Sequence, residues 1–148
     1  SGIDRELLSQ SQEQDQELLL QQLVALRDER LLWSPHGLRS LATTSSLYKK
    51  YNTLHDAPYW RGQIWLNINF LALSALKGYG SSAGGEAGRV AREMHDALRN
   101  NLLITLAGNY RSGGYLFEQY DDVDGRRMSS HPFTGWTALG ALIAAGEY

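Results

Sequence analysis

Residues 62–79 are apolar almost all the way round a helix axis, and this limits the folds open to the chain. Ile64, Trp65, Leu66, Ile68, Phe70, Leu71, Leu73 and Leu76 point in every direction, and Gln63, Asn67 and Ser74 form the one polar stripe. A helix of this kind has to be covered on more than one side. Three other helical stretches surround it in sequence. Residues 12–30 put Leu19, Leu20, Leu23 and Val24 on one stripe and Glu13, Glu17, Gln21, Asp28 and Glu29 elsewhere. Residues 85–108 turn Val90, Met94, Ala97 and Leu98 inward, with Arg89/Glu93 and Arg92/Asp96 at i,i+4 on the outer side. Residues 134–145 are apolar again through Trp136, Leu139, Leu142 and Ile143, with Thr134 as the expected N-cap. The order outer, inner, outer, inner predicts an all-α chain built like part of a two-layer helical toroid, its second and fourth helices the more buried. No repeat near 34 or 40 residues appears, which argues against a helical solenoid. The one extended segment expected is Tyr115-Leu116-Phe117.

Composition narrows the partners. A net charge of -2 and a pI near 6.0 leave no basic stripe for nucleic acid. No run of about 18 apolar residues offers a membrane span. The first residues, Ser1 to Arg5, lack the apolar core of a secretory signal. With no cysteine and with His36, His55, His95 and His131 far apart, neither a metal nor a cofactor is expected.

Function is expected in the two long connections, 33–60 and 110–133, because long ordered loops in a compact domain are usually functional. The second carries Glu118 inside Gly114-Tyr115-Leu116-Phe117-Glu118-Gln119-Tyr120-Asp121, followed by His131-Pro132-Phe133-Thr134-Gly135-Trp136. A carboxylate among aromatic rings is a costly arrangement unless it is compensated. Sugar-handling sites have this composition: rings stack on pyranose faces and a carboxylate activates water. The plainer alternative is a loop acid hydrogen-bonded to backbone. The first connection ends in Tyr59-Trp60-Arg61-Gly62-Gln63-Ile64-Trp65, which offers stacking faces, a charged donor and free backbone N–H groups at a helix start. Its alternative reading makes Trp60 and Trp65 core aromatics and Arg61 a structural partner. Asp121-Asp122-Val123-Asp124-Gly125 breaks the calcium-loop spacing and is expected to be a solvated turn.

Residues 32–41, beginning Leu32-Trp33-Ser34-Pro35-His36-Gly37, and His55-Asp56-Ala57-Pro58-Tyr59-Trp60-Arg61-Gly62-Gln63-Ile64-Trp65-Leu66-Asn67 resemble the mannosyl-oligosaccharide glucosidase family, glycoside hydrolase family 63. Gly114 to Asp124 and Pro132-Phe133-Thr134-Gly135-Trp136-Thr137 match the family's closing motifs. The resemblance runs collinearly from about residue 31 to 148, leaving residues 1–30 as a generic amphipathic helix region. It implies the C-terminal part of a catalytic domain folded as an (α/α)6 toroid. It implies inverting hydrolysis of the terminal α-1,2-linked glucose of the Glc3Man9GlcNAc2 N-glycan, in the lumen of the endoplasmic reticulum. Inversion uses two carboxyls, one protonating the glycosidic oxygen and one activating water. Glu118 stands at the family's general base. The family's general acid, an aspartate, falls upstream of the matching region, so the chain reads as a fragment whose partner is the rest of the domain. Residues expected to contact sugar are Tyr59, Trp60, Arg61, Trp65, Tyr120 and Trp136. Two alternatives from other classes are a carbohydrate-binding module without catalysis and a helical protein-interaction domain.

Overall fold

A computed structural model describes the backbone from residue 2 to residue 148 and the side chains from residue 7 onward. Four α-helices carry the chain: α1 (Gly2–Leu26), α2 (Leu66–Ser82), α3 (Gly85–Gly113) and α4 (Leu139–Ala145). Two hairpins of two-residue strands interrupt them, β1 (Trp33–Ser34) with β2 (Gly37–Leu38) and β3 (Gln119–Tyr120) with β4 (Arg127–Met128). The chain is all-α in class.

The helix bounds shift from those expected, for local reasons. At α1 the helix stops at Leu26, because the Asp28 carboxylate accepts from the Arg30 N–H and guanidinium and closes a turn. Thr134 caps nothing: α4 is entered through a 3-10 turn, Trp136–Ala138, preceded by Gly135. Residues 62–65, expected in α2, lie before it instead, with Ile64 in β-bridges and Trp65 extended. Ile64 bridges Arg39 on one side and Tyr120 on the other, so one apolar residue joins both long connections. Gly62 sits at φ 130, where a Cβ would come within 2.6 Å of the Tyr48 ring. Tyr115-Leu116-Phe117 is not a strand; the pairing falls at Gln119 and Tyr120.

Burial also departs from the expected order. Helix α3 supplies the longest buried stripe, from Ala87 through Val90, Ala91, Met94, Leu98 and Leu102 to Leu106, because it packs on α1, α2 and α4 at once. Helix α2 buries Leu66, Leu73 and Leu76 against it. Its opposite face, Ile68, Leu71, Ala75 and Tyr79, is apolar and exposed. Val24, expected inward, is exposed, and Leu23 takes the buried place. Arg92 does not pair with Asp96; its guanidinium donates to the Gly80 carbonyl and ties the end of α2 to α3.

The loops are anchored by buried polar groups. The Asn69 amide on α2 accepts from the Leu38 N–H at 2.7 Å and donates to the Leu38 carbonyl at 3.1 Å. That pairing hangs the β1–β2 hairpin on the helix. Asp122, expected in a solvated turn, is wholly buried. Arg39 Nε and the Tyr48 hydroxyl each donate to its Oδ2 at 2.6 Å, and Lys49 Nζ stands 2.8 Å from Oδ1. A turn of acids becomes the clamp between the two long connections because three donors from residues 39–49 replace the water it would otherwise need.

Candidate active site

Glu118 lies in the bend immediately before β3, and only 6% of it is exposed. Both carboxylate oxygens are held. The Tyr59 hydroxyl donates to Oε1, and the Ser129 hydroxyl donates to Oε2 at 2.6 Å, with the Ser130 N–H reaching the same oxygen at 3.4 Å. Its backbone is fixed as well: the Glu118 N–H donates to the Ser130 carbonyl, and Trp136 Nε1 donates to the Glu118 carbonyl at 3.0 Å. Burial pushes the carboxyl upward, but the donors from Ser129 and Tyr59 outweigh it and leave it below the ordinary glutamate range. Glu118 is therefore ionised at neutral pH. The same contact pushes the Tyr59 phenol up to about 12, since losing its proton would set two negative charges together.

Ser129 reaches the carboxylate from a left-handed backbone, φ 64, in the turn after β4. Lys49, the other non-glycine residue with positive φ among the described residues, reaches Asp121 and Asp122. Both unusual conformations aim a donor at an acid of the segment 118–122. Such backbone costs about 1–3 kcal/mol and persists where surroundings fix it, commonly at functional sites. Ser129 carries no signal of its own in the sequence. Only the hairpin β3–β4, by folding residue 129 back across residue 118, brings it into place.

The aromatic residues divide into a surface and a support. Trp60 stacks on Trp65 with ring centroids 3.8 Å apart and planes within 10°. Trp65 is 1% exposed while Trp60 is 41% exposed, so Trp60 keeps one face open. Tyr59 meets Trp65 edge-on at 4.7 Å, and Trp136 lies 5.5 Å from Trp65. Tyr120 is fully buried; its hydroxyl accepts from the Phe117 N–H and its backbone pairs with Ile64. Trp65 and Tyr120, expected to touch sugar, thus stand behind the surface, and Tyr59 and Trp136 brace Glu118 itself. Arg61 neither faces a carboxylate nor lies free: its guanidinium donates to the carbonyls of Lys50 and Tyr51, each at 3.0 Å.

A cavity of about 440 Å³ opens beside Glu118, between residues 52–59 and the β3–β4 hairpin, with Tyr59 and Ser129 in its wall. A larger one, about 660 Å³, lies between α1 and the end of α2 and contains no residue of the aromatic cluster. Its one acid is Asp15, and Tyr79 and Ser82 on its floor sit more than a dozen residues along α2 from Leu66. The smaller cavity is the one next to the carboxylate. Among the described residues, no group of three or more potential metal ligands converges.

Comparison with known proteins places the chain in a family. Over 134 residues, 90% of this chain and 16% of the relative, the sequence is 45% identical to the mannosyl-oligosaccharide glucosidase GCS1 of Arabidopsis thaliana. It is 44% identical to alpha-glucosidase 2 of the same plant over 90% of the chain and 17% of that protein. A probable mannosyl-oligosaccharide glucosidase of Schizosaccharomyces pombe is 36% identical over 85% of the chain and 15% of its own length. The chain thus spans less than a fifth of these relatives. Among solved structures, an uncharacterized conserved protein from Thermus thermophilus superposes with a TM-score of 0.53 at 22% identity, covering 76% of this chain and 23% of that one. That likeness concerns the fold alone. Residues 6–146, with α1 included, match the glycosyl hydrolase family 63 C-terminal domain, and the chain belongs to that family.

Proposed function

We propose that this chain supplies the general base and part of the glucose pocket of an inverting α-glucosidase acting on the terminal α-1,2-linked glucose of an N-glycan. One observation carries the reading: a nearly buried carboxylate, Glu118, kept ionised by two hydroxyl donors beside a half-open tryptophan platform. A general base must be ionised, fixed within reach of a water, and near a surface that orients the sugar. Here Tyr59 and Ser129 fix the carboxylate, and the open face of Trp60 offers the pyranose stacking surface. The acid that would protonate the leaving oxygen belongs to the rest of the domain. That remainder is also the proposed cover for the exposed face of α2, completing the toroid. The relatives' names support a mannosyl-oligosaccharide as the substrate class, and the proposed setting is the lumen of the endoplasmic reticulum.

Glu118→Gln in the full-length protein tests the assignment. The amide keeps size and hydrogen bonding but accepts no proton, so turnover should fall by about 10²–10⁴ while sugar binding persists. Circular dichroism must show a folded protein. Near-normal turnover would make Glu118 structural. Glycan binding by the unsubstituted full-length protein without hydrolysis would point instead to a carbohydrate-binding module.

A further inference from the structure

Helix α3 ends at Gly113 and β3 begins at Gln119, so the backbone of Phe117 and Glu118 belongs to no helix or ladder. Its polar groups are paired all the same. The Phe117 N–H donates to the Tyr120 hydroxyl, and the Glu118 N–H donates to the Ser130 carbonyl. Both carbonyls are taken by side chains at the entry to α4. Thr137 Oγ1 donates to the Phe117 carbonyl at 2.7 Å, and Trp136 Nε1 donates to the Glu118 carbonyl at 3.0 Å. One residue earlier, the Leu116 carbonyl accepts from the Phe133 N–H at 2.8 Å. The successive carbonyls of residues 116–118 are thus all held by residues 133–137. Gly135 lets that segment close on itself, because a Cβ there would come within 2.8 Å of the Phe133 ring.

We infer that Thr137 is a positioning residue for the base, aiming the Glu118 carboxylate through the peptide that joins Phe117 to Glu118; the inference rests on the glucosidase reading above. That peptide is fixed at both of its polar ends, its oxygen by Thr137 and its N–H by the Ser130 carbonyl. Tyr59 and Ser129 hold the carboxylate oxygens, and Thr137 holds the backbone from which the side chain springs. Thr137 is wholly buried and touches no substrate, whereas Trp136 also borders the aromatic platform through Trp65. The Thr137–Phe117 bond is buried too, and a buried carbonyl stripped of its donor is costly to leave unpaired. Rotation of the peptide plane toward another donor relieves that cost and carries the Glu118 Cα with it. The carboxylate then meets its water off-line, and misplacement of a reacting group by about 1 Å costs about a hundredfold in rate.

The test measures turnover and Michaelis constant of the full-length protein on the glucosylated N-glycan. Thr137→Val keeps the shape and removes the hydroxyl. Turnover should fall about tenfold or more with the Michaelis constant within about twofold, and Thr137→Ser should recover most of the loss. Thr137→Ala removes the same hydroxyl without adding a methyl and repeats the reading if the valine variant does not fold. Ile143→Val, buried in α4, shows what lost packing alone does, and should lower the Tm while leaving turnover within about twofold. In a Glu118→Gln background, Thr137→Val should add no further loss, because a residue acting through the carboxylate has nothing left to aim. Unchanged turnover in the folded Thr137 variants beside an inactive Glu118→Gln protein overturns the positioning role and leaves the base assignment standing. A loss carried undiminished into the Glu118→Gln background does the same. Near-normal turnover of Glu118→Gln overturns the base assignment and this inference with it.

Discussion

The Ser129 hydroxyl donates to Glu118 Oε2 at 2.6 Å across the β3–β4 hairpin, from a residue whose φ is 64. Ser129→Ala removes one of the donors that hold the carboxyl low, so the acidic limb of the pH–rate profile should move to higher pH. Ser129→Gly should move it as far, although glycine relieves the left-handed backbone, whereas Ser129→Thr should partly restore it. A profile unmoved in Ser129→Ala would leave that hydroxyl without a role in setting the base.

Trp60 and Trp65 share one stack but have opposite duties. Trp60→Ala should raise the Michaelis constant for the glucoside by about tenfold or more and cost little stability, because its outer face is open. Trp65→Ala empties a fully buried place and should destabilise the fold by about 3–5 kcal/mol. Denaturant melts beside steady-state kinetics separate the two. Equal effects on both would show Trp60 to be a core residue.

Asp122 should be the most stability-sensitive acid of the chain. Removing it strands Arg39 and Lys49 around a buried void, and Asp122→Ala should cost about 3–5 kcal/mol. Burial raises the carboxyls of Asp121 and Asp122, but the donors around them win and hold both below their ordinary value. Their contribution is therefore present above about pH 4 and lost as pH falls through the folded values. Lys49 is opposed by burial yet raised on balance by the two aspartates, so its share is present below about pH 10 and fades above its raised value. Melting temperature against pH should show a plateau between these limits, and its acid edge should soften in Asp122→Asn. A Tm that ignores pH across the acid edge would contradict the clamp.

The exposed face of α2 predicts two opposite outcomes for one substitution. In the full-length protein Leu71→Asp would bury a charge against the remaining helices and should cost more than the roughly 1.5–3 kcal/mol of a buried leucine. In the 148-residue chain alone the same change should leave stability within about 0.5 kcal/mol and reduce self-association in light scattering. Neutral behaviour in both settings would leave that face uncovered by the rest of the domain.

Periodicity alone fixed the existence, type and number of the helices, because a 3.6-residue pattern is written locally. Composition alone likewise removed thiolate chemistry, since the chain has no cysteine. The clustering of aromatic residues in the segments around Trp60 and Glu118 was also legible, since the rings are written in the sequence itself. What periodicity could not show is which apolar face finds a partner: Ile68 and Leu73 look alike in sequence, yet only Leu73 is buried against α3. Nor could spacing reveal that Asp122 is buried, that Ile64 leaves its helix to bridge two loops, or that Ser129 returns to Glu118. These are contacts between residues 11 to 83 positions apart, closed only when the loops fold over α3. They decide whether Glu118 is a solvated loop acid or a fixed, ionised carboxylate, because its protonation depends on the donors brought to it and not on its neighbours in the chain.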